Sequence, residues 1–376
     1  MTIAIALGLL SLAAWLALLL LRGAFWWPRV PPAIREPARW PSVCAVLPAR
    51  DEAALIERSM TSLLRQDYPG AFSVVLVDDH SSDGTAEIAS RLPGGNRLRI
   101  VRAPPLPLGW TGKLSAMNRG VEEAGNAELI LFTDADICHH QTNLREMAAR
   151  LERENRDLVS VMVKLHCRSI AERLLIPAFV FFFAMYYPFR WVRQSRRKTA
   201  AAAGGCVLIR RRALERIGGI AAIKSALIDD CALARAVKDG GGSLRLDLTD
   251  VTESIRPYAS LGAIWNMIAR SAFAHLRYSL WVVAATVVGM AVIYVVPPLL
   301  LIADIDVARW LGAAGWALMT LAYLPMLRFY RQSPAWAILL PVTTLIYLGA
   351  TIASAWRYYR GHGGLWKGRV EWRSAR

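Results

Sequence analysis

The residues best placed to do chemistry are acids that follow apolar runs. Leu129-Ile130-Leu131-Phe132-Thr133 leads directly into Asp134-Ala135-Asp136. The apolar run predicts a buried strand, and two carboxylates one residue apart stand at its end. Like charges beside a core strand are costly unless a cation neutralises them. Hard carboxylate oxygens suit Mg2+ or Mn2+, and those ions suit a diphosphate. The pattern recurs: the run 43–48 is followed by Ala49-Arg50-Asp51-Glu52, and the run 72–77 by Asp78-Asp79. Asp229-Asp230 opens a predicted helix, where acids are ordinary dipole and cap chemistry. A lone Asp-x-Asp reads as a solvated turn. Three acid clusters at three strand ends point to a site.

The elements that must position these acids follow from the same pattern. Strands are predicted at 43–48, 72–77, 99–102 and 129–133. Between them fall a helix from Leu55 to about Gln66, a turn and helix start at His80-Ser81-Ser82-Asp83-Gly84-Thr85 with Ser and Asp as caps, and a helix from Gly112-Lys113 to about Glu123. This alternation predicts an α/β fold with a parallel sheet, which binds ligands at the carboxyl ends of its strands. Further along, Gly204-Gly205 follows an alanine run and opens a strand. The pair allows either close approach to a ligand or a packing turn. A short helix at 211–217 ends at Gly218-Gly219, the Asp229-Asp230 helix reaches Lys238, and 244–256 gives one or two strands.

Composition adds a membrane. The chain has 376 residues, 55% of them hydrophobic, with 14 Trp, and a mean hydropathy of +0.32. That is too apolar for an ordinary soluble enzyme. A net charge of +16 would suggest nucleic acid in a soluble chain. Here Arg22, Arg29, Arg35 and Arg39 follow an apolar stretch, so anionic lipid and the positive-inside rule explain the charge and no nucleic-acid partner is expected. Five cysteines without a Cys-x-x-Cys pair argue against a disulfide framework or zinc site and for a reducing cytoplasm.

The expected organisation is an N-terminal transmembrane helix (1–22), a proline-rich linker (23–42), a catalytic domain (43–258), an amphipathic interfacial helix (259–278), a C-terminal transmembrane region (279–357) and a basic tail (358–376). The first apolar run has no basic residue ahead of it and no small-residue cleavage site after it, which favours an anchor over a signal peptide. Three apolar stretches, 279–303, 307–329 and 335–356, make up the C-terminal region, and Pro297-Pro298 should kink or break the first. The apolar segment 170–189, interrupted by Glu172, Arg173 and Pro177, reads as a helix on the membrane surface or lining an acceptor entrance, with a full span as the alternative. The basic run Arg190, Arg193, Arg196, Arg197 and Lys198 faces lipid headgroups or is a solvated loop. Charge places the domain on the cytoplasmic side of a multi-pass inner (cytoplasmic) membrane protein. Three further spans would then put Arg357, Arg360, Lys367, Arg369, Arg373 and Arg376 outside, against the same rule. Either one stretch is interfacial or re-entrant, or the tail is an exception.

Taken in order, Leu47-Pro48-Ala49-Arg50-Asp51-Glu52, Val77-Asp78-Asp79-His80-Ser81-Ser82-Asp83-Gly84-Thr85, Gly112-Lys113-x-x-Ala116-x-Asn118-x-Gly120, Asp134-Ala135-Asp136 and Asp229-Asp230 resemble the GT-A glycosyltransferases of family 2 over roughly residues 43–250. Gly109-Trp110-Thr111-Gly112-Lys113, Ile228-Asp229-Asp230, the C-terminal spans and Trp366-Lys367-Gly368-Arg369 look like the hopanoid-associated (hopene-associated) membrane glycosyltransferases, with ceramide glucosyltransferase-like and carotenoid glycosyltransferase-like enzymes as near relatives.

The resemblance implies a Rossmann-like GT-A nucleotide-sugar domain that moves a sugar, with inversion, from a UDP-linked donor to a lipid hydroxyl. It implies that Asp79 binds the nucleoside, with Pro48, Ala49 and Glu52 beside the uridine. Asp136 matches the metal ligand, for Mg2+ or Mn2+, and Asp134 becomes a supporting donor-site contact. Lys113 joins the metal in neutralising the leaving diphosphate, and Asp230 matches the general base. Asp229 either orients Asp230 or caps the helix, the cap being favoured. The family's Gln-x-x-Arg-Trp motif is absent. In Trp265-Asn266-Met267-Ile268-Ala269-Arg270-Ser271 only Arg270 matches, as a pyrophosphate contact, which argues against a processive polysaccharide synthase. His139 and His140 read as a solvated turn, Trp110 as a stacking platform or interface packing, and Cys231 as helix packing. A polyprenyl-phosphate or ceramide-type enzyme is the second reading. A catalytically silent membrane scaffold is the third, and the intact Asp79, Asp136 and Asp230 stand against it.

Overall fold

In a computed structural model of the chain, which describes residues 2–361, 365–366 and 369–370, eight strands form one mixed sheet. They are β1 (Val43–Ala49), β2 (Phe72–Asp78), β3 (Leu98–Arg102), β4 (Leu129–Thr133), β5 (Ile137–Cys138), β6 (Leu158–Lys164), β7 (Cys206–Arg210) and β8 (Leu244–Ser254). Their order across the sheet is β3-β2-β1-β4-β7-β6-β8-β5. The first four run parallel, so the acids beyond β1, β2 and β4 gather along one edge. β7 runs antiparallel to β4, with Cys206 opposite Thr133, and this brings Gly204-Gly205 to the same edge. The stretch read as one or two strands is the single strand β8. It ends with Ser254 opposite Ile137, just past Asp136.

Both faces of the sheet are covered, which is why β1 and β4 are apolar throughout rather than alternating. Val43, Ala45 and Leu47 pack with Ile56, Met60 and Leu63 of the helix Ala53–Leu64 and with Leu144 and Leu151 of the helix Asn143–Arg153. Cys44 and Val46 face the helix Gly112–Glu123 and, beyond it, the apolar helices. Gly120 lies so close to β1 that a Cβ there would come within 2.2 Å of a Val46 methyl. This contact fixes the helix that begins with Lys113. The helix Asn143–Arg153 and β6 occupy a stretch to which the sequence pattern assigned no element. The proline-rich linker is clamped to the domain: Arg39 forms a two-pronged pair with Glu128 at 2.7 and 2.9 Å, and Arg145 bridges Glu36 and Asp67.

Five helices among the described residues are long and apolar enough to cross a membrane: Ile3–Leu21, Ile170–Val192, Leu280–Leu300, Asp306–Phe329 and Pro334–Tyr359. Pro297-Pro298 does not break the third. A wide π turn at Ala291–Val295 precedes the prolines. Pro297 has no N–H to give the Ile293 carbonyl, and Trp15 of the first helix donates its indole N–H there instead, at 2.8 Å. The helices 3–21, 280–300 and 306–329 pack side by side, with Gly8 against Leu300 and Leu311 and Gly315 near Ser11.

The other two helices behave differently. Ile170–Val192 lies between β6 and β7, which pair with each other in the sheet. The chain therefore leaves the sheet and returns to it. The segment Pro334–Tyr359 touches the catalytic domain or its flanking helices along its length. Thr343 and Tyr347 donate to the carbonyls of Leu174 and Leu175 at 3.4 and 2.9 Å, Ser354 accepts from Phe273 N–H at 3.0 Å, and Arg357 donates to Asn266 at 2.9 Å. In the basic run, Arg193 is used internally, paired with Asp247 at 2.6 Å, while Arg196, Arg197 and Lys198 are exposed. Lys367 and Gly368 of the Trp366–Arg369 motif, and Arg373 and Arg376 of the basic tail, lie outside the described residues.

Candidate active site

The loops after β1 and β2 are tied into one unit. Asp51 and His80 adopt left-handed backbone, with φ of 50° and 57°, which non-glycine residues rarely do. Asp51 N–H donates to Ser81 Oγ at 3.0 Å, and Asp51 Oδ1 accepts from Ser82 N–H at 2.8 Å. Thr85 Oγ1 accepts from Glu52 N–H at 2.8 Å. Asp83 was expected to cap its own helix. Its Oδ1 does accept from Thr85 N–H at 3.1 Å, the first residue of that helix, while its Oδ2 accepts from Ala53 N–H at 2.9 Å at the start of the neighbouring helix, and Gly84 stands at the N-cap of Thr85–Ser90. The Ser81–Thr85 motif thus sets the shape of the loop that carries Glu52. Asp79 is buried beside Arg50, whose guanidinium donates to its carbonyl at 2.7 Å, and His80 Nδ1 lies 3.3 Å from its carboxylate.

A cavity of about 560 Å³ opens where the strand ends meet the helices Ile170–Tyr186 and Leu261–His275. Pro48, Glu52, Lys113, Asp134, Asp136, Asp230 and Arg270 all line it. Ala49 is buried within β1, and Asp79 lies behind Arg50, so neither is on this wall. Phe179, Phe183 and Met267 give the same cavity an apolar wall. Trp110 packs against the core rather than lining the cavity.

Two cations cross the acidic floor. Lys113 Nζ sits 2.8 Å from Asp134 and 3.0 Å from Asp229, with 19% of its side chain exposed. Asp229 is therefore not the helix cap: Ile228 takes that position without a side-chain bond, and Asp229 reaches sideways to Lys113. Burial alone would weaken the Lys113 ammonium, but Asp134 and Asp229 outweigh it and hold its pKa above the ordinary value. Burial pushes the Asp134 carboxyl up, Lys113 pulls it back, and Asp136 and Asp229 add to the rise. The second cation, Arg256, was not singled out in the sequence. It donates to both Glu52 oxygens at 2.6 Å and to Asp136 Oδ2 at 3.1 Å, while Ser254 Oγ donates to the same Asp136 oxygen at 3.0 Å. The available signal was a basic residue two positions after a strand that ends among the acids.

Asp230 makes no ion pair among the described residues. Its Oδ1 accepts from Cys231 N–H at 2.6 Å, and a Cβ on Gly204 would lie 3.3 Å from its Oδ2. The glycine pair thus gives close backbone approach, to this carboxylate. Burial first, then the Asp229 charge, pushes the Asp230 pKa up to about 7, against the opposing pull of Lys113 and the N–H groups of Cys231 and Gly204. A carboxylate poised there can take a proton near neutral pH. Arg270 is exposed at the rim and forms no ion pair among the described residues.

His139 is not in a solvated turn. It is buried, with Nδ1 3.1 Å from the Asn143 amide nitrogen and Nε2 2.9 Å from Thr133 Oγ1, which in turn donates to the Gly205 carbonyl at 2.9 Å. Burial lowers its pKa to about 4, so it stays neutral and ties the end of β4 to the glycine pair.

Among the described residues no cluster of three or more His, Cys, Asp or Glu side chains is placed to hold a metal. Asp134 and Asp136 nevertheless stand together on the cavity wall. One or two carboxylates completed by phosphate oxygens and water is the set that Mg2+ accepts at diphosphate sites. The residues fit a cation that arrives with its phosphate.

The family model for Glycosyl transferase family 2 matches residues 44–218. The probable glycosyltransferase YdaM of Bacillus subtilis (strain 168) is 26% identical over 223 residues, covering 58% of this chain and 51% of that protein. A PGL/p-HBAD biosynthesis glycosyltransferase of Mycobacterium bovis (strain BCG) is 34% identical over 122 residues, 32% of this chain and 45% of that one. The chain thus spans about half the length of these curated relatives. Among solved structures, the mannosyltransferase PcManGT from Pyrobaculum calidifontis, in complex with GDP-Man and Mn2+, superposes with a TM-score of 0.60 at 20% identity, covering 95% of this chain and 99% of that one. With the strand order and the clustered acids, these matches identify residues 44–218 as a glycosyltransferase family 2 domain of GT-A fold.

Proposed function

We propose that the chain is a membrane-anchored, inverting glycosyltransferase that transfers a sugar from a nucleotide-sugar donor to a hydroxyl of a lipid. One observation carries this reading. Asp230, without an ion pair among the described residues and poised near neutral pH, shares one cavity with the cation-crossed acids and with the apolar Phe179, Phe183 and Met267. The floor suits a diphosphate and the wall suits a lipid. The nucleoside falls to the loops after β1 and β2, where Pro48 and Glu52 line the cavity and Asp79 and Ala49 stand behind its wall, and UDP is the preferred carrier. The acceptor hydroxyl gives its proton to Asp230 while its oxygen attacks the anomeric carbon. The bond from that carbon to the diphosphate breaks on the opposite face, which inverts the configuration. Lys113 and Arg270 place positive charge toward the departing diphosphate. Asp136, with Asp134, would hold Mg2+ or Mn2+, which supplies Lewis-acid stabilisation of the same charge. A hopanoid-type lipid is the acceptor favoured by the resemblance of Gly109–Lys113 and Ile228–Asp230.

The helix contacts support a topology that removes the charge conflict. The helices 3–21, 280–300 and 306–329 cross the bilayer, and 170–192 and 334–359 lie along its cytoplasmic face against the domain. The N-terminus is then outside, while the domain and the basic tail are both in the cytoplasm, as the positive-inside rule asks. The protein belongs to the inner membrane.

The test incubates membranes with radiolabelled UDP- and GDP-sugars and lipid extract. Divalent-cation-dependent lipid labelling that is lost in Asp230→Asn and Asp136→Ala supports the reading. Full labelling by Asp230→Asn would sink the base assignment. Label in polyprenyl phosphate or ceramide, and none in hopanoid, would replace the acceptor. For topology, a C-terminal reporter should be active only in its cytoplasmic form, and a periplasmic signal would overturn the three-crossing arrangement.

A further inference from the structure

Arg256 follows β8 and lies across the cavity floor. Its guanidinium holds both oxygens of Glu52 at 2.6 Å and Asp136 Oδ2 at 3.1 Å, with 34% of the side chain exposed. Ser254 donates to the same Asp136 oxygen. Glu52 follows β1, Asp136 follows β4 and Arg256 follows β8, so three separate strand ends fix this bridge. A planar fork held by a carboxylate on one side and presented to a second on the other is rigid in a way a lysine is not. The carboxylate it neutralises is the one that the donor-site reading gives to a divalent ion.

We propose that Arg256 is a built-in counter-cation that competes with the divalent ion for Asp136, so that the ion loads as its complex with the nucleotide rather than ahead of it. The inference rests on the reading of a cation-dependent donor site. A free divalent ion would have to displace the guanidinium from Asp136 and give up water, and no third protein ligand is clustered there among the described residues. An ion that arrives on a diphosphate brings its own oxygen ligands and added negative charge. The displaced guanidinium then has phosphate oxygens within its chemistry while Glu52 retains it. Lys113 pairs with Asp134 and Asp229 and not with Asp136, so an Arg256 variant frees Asp136 while leaving the Lys113 bridge in place.

The test titrates the purified full chain in detergent with Mn2+, following free Mn2+ by electron paramagnetic resonance, alone and with UDP or GDP. Wild type should take Mn2+ at least about tenfold more tightly with the nucleotide than without it. Arg256→Gln should bind Mn2+ alone at least about tenfold more tightly than wild type, and its metal-free melting temperature, lowered by loss of the bridge, should recover on adding Mn2+. Nucleotide-free affinity equal to or weaker than wild type overturns the proposal, as does a melting temperature that Mn2+ does not restore. A merely structural arginine gives that second result. If Arg256→Gln does not fold, Arg256→Lys takes its place: it keeps the charge, loses the fork, and should bind free Mn2+ more tightly than wild type by a smaller factor. Equality with wild type there also overturns the proposal. Absence of Mn2+ binding to wild type even with nucleotide defeats the cation-dependent donor reading itself, and the inference with it.

Discussion

Lys113 and Arg256 each bridge two carboxylates across one cavity floor, Lys113 between Asp134 and Asp229, Arg256 between Glu52 and Asp136. Lys113 is the less exposed of the two cations, and its partner Asp229 is next to Asp230 in the chain. Both Lys113 and Asp229 act on the Asp230 pKa, in opposite directions. Arg256 is not among the charges that set it. Both bridges hold carboxylates of the proposed diphosphate site, but only the Lys113 bridge also acts on Asp230, so each can be disturbed separately.

The largest effect is expected from Asp230→Asn, which should lower kcat for sugar transfer by about 10²–10⁴-fold, with nucleotide binding preserved by equilibrium titration. The same variant should gain stability. The folded Asp230 carboxyl keeps its proton up to about pH 7, against an ordinary value of 3.8. Across that window the native state holds more protons than the unfolded state, so stability falls as pH rises. Removing the charge removes that loss, and the melting temperature of Asp230→Asn should exceed that of wild type at pH 8 but not at pH 4.

Lys113→Met should follow, at on the order of 2–4 kcal/mol of stability, because two partly buried carboxylates lose their cation. It should also move the rising limb of the pH profile upward, since Lys113 lowers the Asp230 pKa. Arg256→Gln should leave that midpoint in place, and a shift there would break the division between the two bridges. The smallest effect belongs to Gly204→Ala, whose Cβ would press on Asp230 at 3.3 Å. It should cost about 1 kcal/mol or less of stability while lowering kcat more than it changes KM.

What was legible in the sequence lies within single elements. The apolar runs followed by Asp51-Glu52, Asp78-Asp79 and Asp134-Asp136 gave both the strands and the edge where they converge, because strand and acid are adjacent in the chain. The Lys113–Asp229 and Arg256–Glu52 pairs were hidden because each joins residues more than a hundred positions apart, 204 for the second. Sheet order alone brings them together. Asp229 looked like a cap because an acid at a helix start has that local use, yet it is recruited by Lys113, and Asp83 serves the start of its own helix and of a neighbouring one. His139 looked solvated because it follows the Asp134-Ala135-Asp136 turn, and its ring is instead bonded to Asn143 and Thr133. The last apolar segment has the composition of a span. Its bonds to Leu174, Leu175, Phe273 and Asn266 set it apart from the helices around Trp15.

The most direct test of the central claim, that Asp230 is the base and Asp229 tunes it, is the pH dependence of kcat for lipid-linked sugar transfer by wild type and Asp229→Asn. The wild-type rate should rise on the order of tenfold between pH 6 and 8, through a midpoint near 7. Asp229→Asn should retain a rising limb displaced to lower pH, because the charge that raises the Asp230 pKa is gone. A wild-type rate that stays flat across this range, or a midpoint unmoved in Asp229→Asn, would contradict the account.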